Sequence, residues 1–162
     1  MSKSETKPNA PRIANRKARH DYHVLESFEV GIVLRGTEVK SIREGKCSIA
    51  ESYAMIDPAT HELWVHQIDI GAYSHAAPDR QHEAKSKRKL LAKKRELERL
   101  YGLTTAKGVS LVPLALYFND RGIAKIELAV AEGRRKGDKR EKLRTDESRR
   151  HLRQAMSRKR IG

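Results

Sequence analysis

VSLVPLALYFNDRGIAKIELAVA, residues 109–131, is two apolar runs around a polar turn. In the second run Ala124, Ile126, Leu128 and Val130 alternate with Lys125, Glu127 and Ala129. That period of two is a β-strand with one face in and one face out. The first run, 109–118, has the same β character, but Pro113 sits where its alternation slips phase, which predicts a bulge or an edge. The two runs predict a hairpin around Asn119-Asp120-Arg121-Gly122. This is the anchor of the fold.

Working outward, residues 48–56 and 62–70 read as a second hairpin, broken at Asp57-Pro58-Ala59-Thr60 by turn chemistry. Tyr22, Val24, Phe28, Val30, Ile32 and Val33 predict one long or two short strands over 22–34. Residues 37–44 suit a short helix, with Thr37 as N-cap, Val39 and Ile42 three apart and Gly45 as the stop. Residues 86–101 predict a longer helix closed by Gly102. Leu90, Leu97 and Tyr101 would share its packed face, and Leu91 lies about 100° round from Leu90, free of the core. Five or six short strands with inserted helices, in about 110 residues, predict a mainly β protein. The expected architecture is a small closed antiparallel β-barrel of the oligonucleotide-binding (OB) type. No internal repeat is visible.

Composition narrows the function. The chain has 162 residues, 38% of them hydrophobic, which suffices for one domain with tails. Cys47 is its single cysteine, so neither a disulfide framework nor a multi-cysteine zinc site is available. No apolar run is long enough for a membrane span or resembles a signal peptide, which points to the cytoplasm. Lys+Arg number 35 against 21 Asp+Glu, a net charge of +14. Residues 1–20 contribute +5 and residues 133–162 contribute +9, so the body between is neutral. Within that body, residues 85–99 are +6, and the rest is therefore −6. Cationic arms on a neutral body are a device for gripping a polyanion. The predicted division is a basic mobile arm over 1–19, a barrel over 20–132 and a basic tail over 133–162.

Three segments carry the binding chemistry. Lys87, Arg88 and Lys89 would fall in the first turn of the helix 86–101, where exposed N–H groups and basic side chains make an anion site. The string Asn15-Arg16-Lys17-Ala18-Arg19-His20 leads straight into the first strand, which pins it to the body. In the tail, acids precede bases at helical spacing in Asp138–Lys142, Glu141–Arg144, Asp146–Arg150 and Glu147–Arg150. Leu143, Leu152, Met156 and Ile161 are too scattered to bury a face, so the tail should be disordered alone and helical against a polyanion. A solvated basic face or an ordinary tail is the plainer reading of each.

Catalytic patterns are missing: no G-x-S-x-G, phosphate loop, dinucleotide fingerprint or paired-histidine metal motif occurs. His20 and His23 would point to opposite faces of a strand, a poor metal pair. Glu29, Glu38, Glu44 and Asp57 have no spacing that argues for a carboxylate metal site. The chain is therefore expected to be no enzyme, with neither metal nor cofactor. Aromatic residues are too few to make base stacking the main binding mode.

The chain resembles the SmpB family of transfer-messenger-RNA-binding (SsrA-binding) proteins. The stretches that carry the resemblance are Asn15 to Tyr22, Phe28-Glu29-Val30-Gly31-Ile32 and Gly36-Thr37-Glu38-Val39-Lys40-Ser41. They continue with Gly45-Lys46 through Ser52-Tyr53, Arg88-Lys89-Leu90-Leu91, Gly133-Arg134-Arg135 and Asp138-Lys139-Arg140. The resemblance implies an OB-type barrel that binds the transfer-RNA-like domain of transfer-messenger RNA and brings it to stalled ribosomes for trans-translation. It implies that Asn15, Arg16, Glu29 and Leu91 serve RNA binding, alongside the basic residues Lys17, Arg19, His20, Lys87, Arg88 and Lys89. Gly133, Arg134, Arg135, Asp138, Lys139 and Arg140 would work at the small-subunit decoding site, with the tail in the vacant message channel. The implied partners are that RNA, the ribosome and elongation factor Tu, with the protein a monomer. Gly137 stands where the family often has His. A ribosome-resident structural protein is the alternative of another class, and a nuclease a third.

Overall fold

The computed structural model describes residues 11–133 and 147–156. The anchoring hairpin is present as β8 (Val109–Phe118) and β9 (Ala124–Gly133), antiparallel from Phe118 opposite Ala124 to Val109 opposite Glu132. In its turn the Asn119 side chain accepts from the N–H groups of Arg121 (3.0 Å) and Ile123 (2.9 Å). Gly122 takes φ of +76°, which a side chain would resist. The register shifts between Pro113 and Ala115, the bulge the phase slip predicts. Its effect is to let one strand serve two cores. Leu111 and Leu116 face the main core, while Val112 and Leu114 face a smaller cluster on the other side.

Five more strands complete the main sheet: β1 (Ile13–Ala14), β2 (Tyr22–Ile32), β4 (Tyr53–Ile56), β5 (Leu63–His66) and β7 (Arg88–Leu91). Pairings run β8–β4–β5–β7–β2–β9 and return to β8. The weakest link is β4–β8, a single pair, Ala54 with Leu111. Inside the circuit lie Val30, Ile32, Leu63, Val65, Leu90, Leu116, Ile126 and Leu128, all buried. A two-stranded sheet of β3 (Cys47–Ser48) and β6 (Asp69–Ile70) extends the hairpin of β4 and β5, so the predicted 48–70 hairpin stands with a break in each arm. Strand β2 is one long strand with an irregularity between Val24 and Glu26.

Helix α2 (Gly36–Arg43) starts one residue earlier than expected, with Arg35 at the cap and its N–H donated to Glu38 (2.7 Å). Thr37 is not the cap; its hydroxyl pairs with His82 Nδ1 at 2.9 Å. Gly45, at φ +79°, ends the turn as expected.

The helix 86–101 is corrected. Arg88–Leu91 is strand β7, paired with β5 and β2, and helix α3 runs Lys94–Thr104, through Gly102 rather than up to it. Lys, Arg, Leu and Ala favour a helix by only tenths of a kcal/mol each, roughly, and strand pairing on both sides outweighs that. The overlooked signal is an alternation: Arg88 and Leu90 are buried, Leu91 exposed. Leu90 therefore belongs to the core, and α3 packs through Leu97, Leu100 and Leu103 while Tyr101 is exposed.

The arm is also corrected from residue 11 onward. β1 pairs with β8, and helix α1 (Arg16–Asp21) lies over Val112, Leu114 and Ala129 through its buried Ala18. This cover buries Ala129, which the alternation places outside. Residues 1–10, and the tail positions 134–146 and 157–162, lie outside the described residues. Residues 147–156 form helix α4, each residue exposed.

Candidate nucleic-acid interface

Helix α1 exists because Asn15 makes it. The Asn15 carbonyl oxygen accepts from the Ala18 N–H at 3.0 Å. Its amide donates to the carbonyls of Ile49 (3.1 Å) and Pro113 (2.9 Å), the latter beside the β8 bulge. Asn15 is 1% exposed, its side chain committed to these three hydrogen bonds, and it supports α1 from inside. Asn15→Ala should cost about 2 kcal/mol, one cap plus orphaned carbonyls, read as a lower urea midpoint.

Arg16, Lys17, Arg19 and His20 all project from α1 into solvent. Lys17 reaches Glu51 at 2.8 Å, and His20 Nδ1 lies 3.1 Å from Asp21. Arg19 and His20 occupy the last turn, where cations complement the dipole. His20 is helical, so its geometry relative to His23 differs from the strand expectation.

Beside α1 runs the outer face of β8, β9, β2 and β7. There Glu29 on β2 and Glu127 on β9 stand directly opposite one another. Opposed like charges repel, and each carboxylate here has its own compensation. Glu127 accepts from Arg12 at 3.0 Å and has Arg19 at 3.8 Å. Glu29 accepts from the Tyr117 hydroxyl. Burial, reinforced by that carboxylate, pushes the Tyr117 phenol up to about 12, so it stays a donor at neutral pH. The Arg12 guanidinium also lies 4.6 Å from the Tyr117 ring centre. Lys17 pairs with Glu51 and Glu29 with Tyr117.

The next strand position brings in Leu91. Gly31 is paired with both Leu91 and Lys125. A side chain on Gly31 would meet Leu91 Cβ at 3.4 Å; its absence leaves Leu91 seated over the strand and 54% exposed, as its expected freedom from the core requires. Lys89 lies on the same outer face, paired with Glu62 at 3.2 Å, and the Lys87 ammonium sits 4.6 Å from the Trp64 ring. The outer strand face thus joins Arg12, Arg19, Glu29, Lys89 and Leu91, with Arg16 and Lys17 exposed on the adjoining α1.

Arg88 is the exception among the basic residues. Its side chain is 3% exposed and points inward, bonded to Glu38 at 2.8 Å and to four backbone carbonyls. With no helix beginning at Lys87, the expected anion site at a helix start is absent as well. Gly133 ends β9 opposite Tyr22; Arg134, Arg135, Asp138, Lys139 and Arg140 lie outside the described residues. Sequence reasoning missed Arg12, Tyr117 and Glu127. Only the register of β2, β8 and β9 reveals them, since Glu127 read as an ordinary outward residue.

Among the described residues no cluster of metal-ligating side chains occurs, and no helix is long and apolar enough to cross a membrane. The pattern of the family described as SmpB protein matches residues 12–158. The chain belongs to the SmpB family. Among SmpB relatives, the SsrA-binding protein of Chlorobaculum tepidum is 44% identical over 155 residues, 95% of this chain and 97% of its own. That of Dinoroseobacter shibae is 49% identical over 127 residues, 78% of each. A solved chain from "tmRNA-SmpB: a journey to the center of the bacterial ribosome" is similar at TM-score 0.66 and 44% identity, covering 83% of this chain and 96% of that one.

Proposed function

We propose that this SmpB-family chain is a non-catalytic adaptor with an OB-type barrel. It holds the transfer-RNA-like domain of transfer-messenger RNA on the α1 and outer-strand surface and brings it to stalled ribosomes. The observation that carries this reading is the convergence of Arg12 and Arg19 with Glu29 and Leu91 on one strand face, beside the exposed Arg16 and Lys17 of α1. Cations alone would serve any polyanion. A carboxylate with one oxygen held by a phenol still has lone pairs for base amino or imino groups, and an exposed leucine beside it offers an apolar contact. Asn15 and Arg88 support this surface from inside. In this reading Gly133 to Arg135 and Asp138 to Arg140 act at the decoding site, the tail follows the vacant message channel, and a monomer travels with elongation factor Tu in the cytoplasm.

Glu29→Ala decides between this and plain electrostatics. Removing an acid should tighten binding to any polyanion. Losing hydrogen bonds to a charged acceptor should instead weaken the specific RNA complex by tenfold or more, from about 1.5–3 kcal/mol. Titration with the transfer-RNA-like fragment reads the sign; unchanged or tighter binding makes Glu29 a bystander. Truncation after Glu132 should keep most of the specific affinity, while a plot of log affinity against log salt becomes shallower. The ribosome-resident alternative predicts that the protein tracks every ribosome, whereas an adaptor co-purifies with one structured RNA and a fraction of them.

A further inference from the structure

Five Tyr, two Phe and one Trp are scattered along the chain in no series. Strand pairing nonetheless gathers rings on one outer face of the barrel. Across β4 and β5, Tyr53 stands opposite His66 and Met55 opposite Trp64. Directly opposed residues share a face of the sheet. Their neighbours Ala54, Leu63 and Val65 are buried in the core, so the rings face outward. Tyr53 and His66 are stacked, with ring centres 5.2 Å apart and planes 15° from parallel. β7 carries the face on: Trp64 is opposite Lys89, and the Lys87 ammonium lies 4.6 Å from the Trp64 ring centre. Lys89 is also held by Glu62 at 3.2 Å.

This face is open. Tyr53 and Met55 are 42% and 55% exposed. Both also line a groove of about 570 Å³ beside the Ala54–Leu111 pair, where Tyr22 and Tyr101 add two more rings. No residue lining that groove is Lys, Arg, Asp or Glu. Flat rings beside an uncharged slot, with ammonium groups on the β7 edge, match one ligand chemistry. A base stacks on an aromatic ring whatever its identity, and the phosphates that link bases need cations alongside. An apolar protein surface fits less well, because covering Lys87 would strip its charge of water with no compensating anion. A duplex fits no better, since its bases are already stacked on one another and closed to a flat face. The rings are too few for a series along a whole strand, and enough for a short unpaired segment.

We propose that the Tyr53–Trp64–His66 face takes unpaired RNA bases, stacked on its rings, with the linking phosphates against Lys87 and Lys89. This contact differs in kind from that of the α1 surface, where cations and a carboxylate meet a folded RNA. It does not rest on the adaptor function proposed above, because any unpaired strand suffices to show it.

Trp64 is the single tryptophan, so its emission reports this face alone. The full chain is titrated with a strand of about ten adenosines, within the usual site size, and with an abasic strand of equal length and charge. Both strands meet the basic segments 1–20 and 133–162 with the same charge. Base stacking predicts saturable quenching of Trp64 by the adenosine strand and little by the abasic one. Tyr53→Ala with His66→Ala should weaken the quenching titration by about tenfold or more. Met55→Glu, at an exposed position opposite Trp64, should weaken it as well without touching the core. Equal quenching by both strands means that charge alone acts, and overturns the proposal. So does a strand that binds, by the anisotropy of a dye on its end, while Trp64 emission stays unchanged, or a titration that neither variant moves. Emission that shifts with protein concentration before any strand is added gives the face to a second copy, and that too overturns it. The strand has no transfer-RNA-like fold, so failure here leaves the adaptor function standing, and unchanged affinity on Glu29→Ala leaves this face standing.

Discussion

Glu38→Ala should destabilise the protein by about 3–5 kcal/mol, the largest effect expected of any single polar substitution here. The side chain is 4% exposed and divides its two oxygens between two tasks. One accepts from the Arg35 N–H at the start of α2, and the other takes the Arg88 Nε–H at 2.8 Å. Arg88 spends its remaining donors on the carbonyls of Ile68, Ser86, Glu83 and Ala84. With the carboxylate gone, a guanidinium stays buried among neutral carbonyls that cannot balance its charge. The loss approaches the smaller total stabilities of domains, about 5 kcal/mol, so a large fraction of the variant should be unfolded at 37 °C or roughly so. Denaturant unfolding reads it as a lower midpoint at constant slope. Lys17→Ala, which breaks the exposed pair with Glu51, should move the midpoint by no more than about 1 kcal/mol. A Glu38→Ala effect as small as that would show that water reaches the pair. The functional consequence runs through β7, because the clasp fixes the strand that presents Lys89 and Leu91.

That clasp also marks where the sequence stopped being legible. The β8–β9 hairpin was readable because its signals are local: a period of two, a turn, and a proline at the phase slip. Glycines with left-handed backbone, Gly45 and Gly122, sat where turns were expected. Arg88 was unreadable for the opposite reason. A run of three basic residues looks like a solvated or phosphate-binding face, and nothing within it says that the middle one points inward. The answer lies fifty positions away, in Glu38. The candidate surface divides in the same way. Arg16, Lys17, Arg19, Glu29 and Leu91 were named from the sequence and its resemblance, and each side chain is on the outside. Tyr117 meets Glu29, and Arg12 meets Glu127, only through strand pairing, which no single stretch of sequence encodes. Asn15 is a buried helix cap, and because a cap and a polar ligand-binding residue share the same chemistry, the sequence alone does not separate the two.

His151→Pro should leave RNA binding intact and abolish peptide tagging on stalled ribosomes. His151 lies inside α4, where its N–H is within reach of the Glu147 carbonyl, so proline removes that hydrogen bond and clashes with the preceding turn. The cost to the helix is about 3 kcal/mol, against a few tenths from each acid–base pair that supports it. No Lys, Arg, Asp or Glu is altered, so the tail keeps its attraction for a polyanion. If the tail must be helical in the message channel, binding to the transfer-RNA-like fragment stays normal while tagging in a reconstituted translation system fails. Lys139→Ala with Arg140→Ala should fail at the same step through lost phosphate contacts, with α4 retained. Leu152→Ser with Met156→Ser separates the helix from its apolar residues. It removes the exposed apolar face but keeps the backbone helical, so tagging should survive it. Full tagging by the proline variant would mean that charge alone places the tail. Failure of the serine variant would mean that the apolar face, and not the helix as such, is what the ribosome step requires.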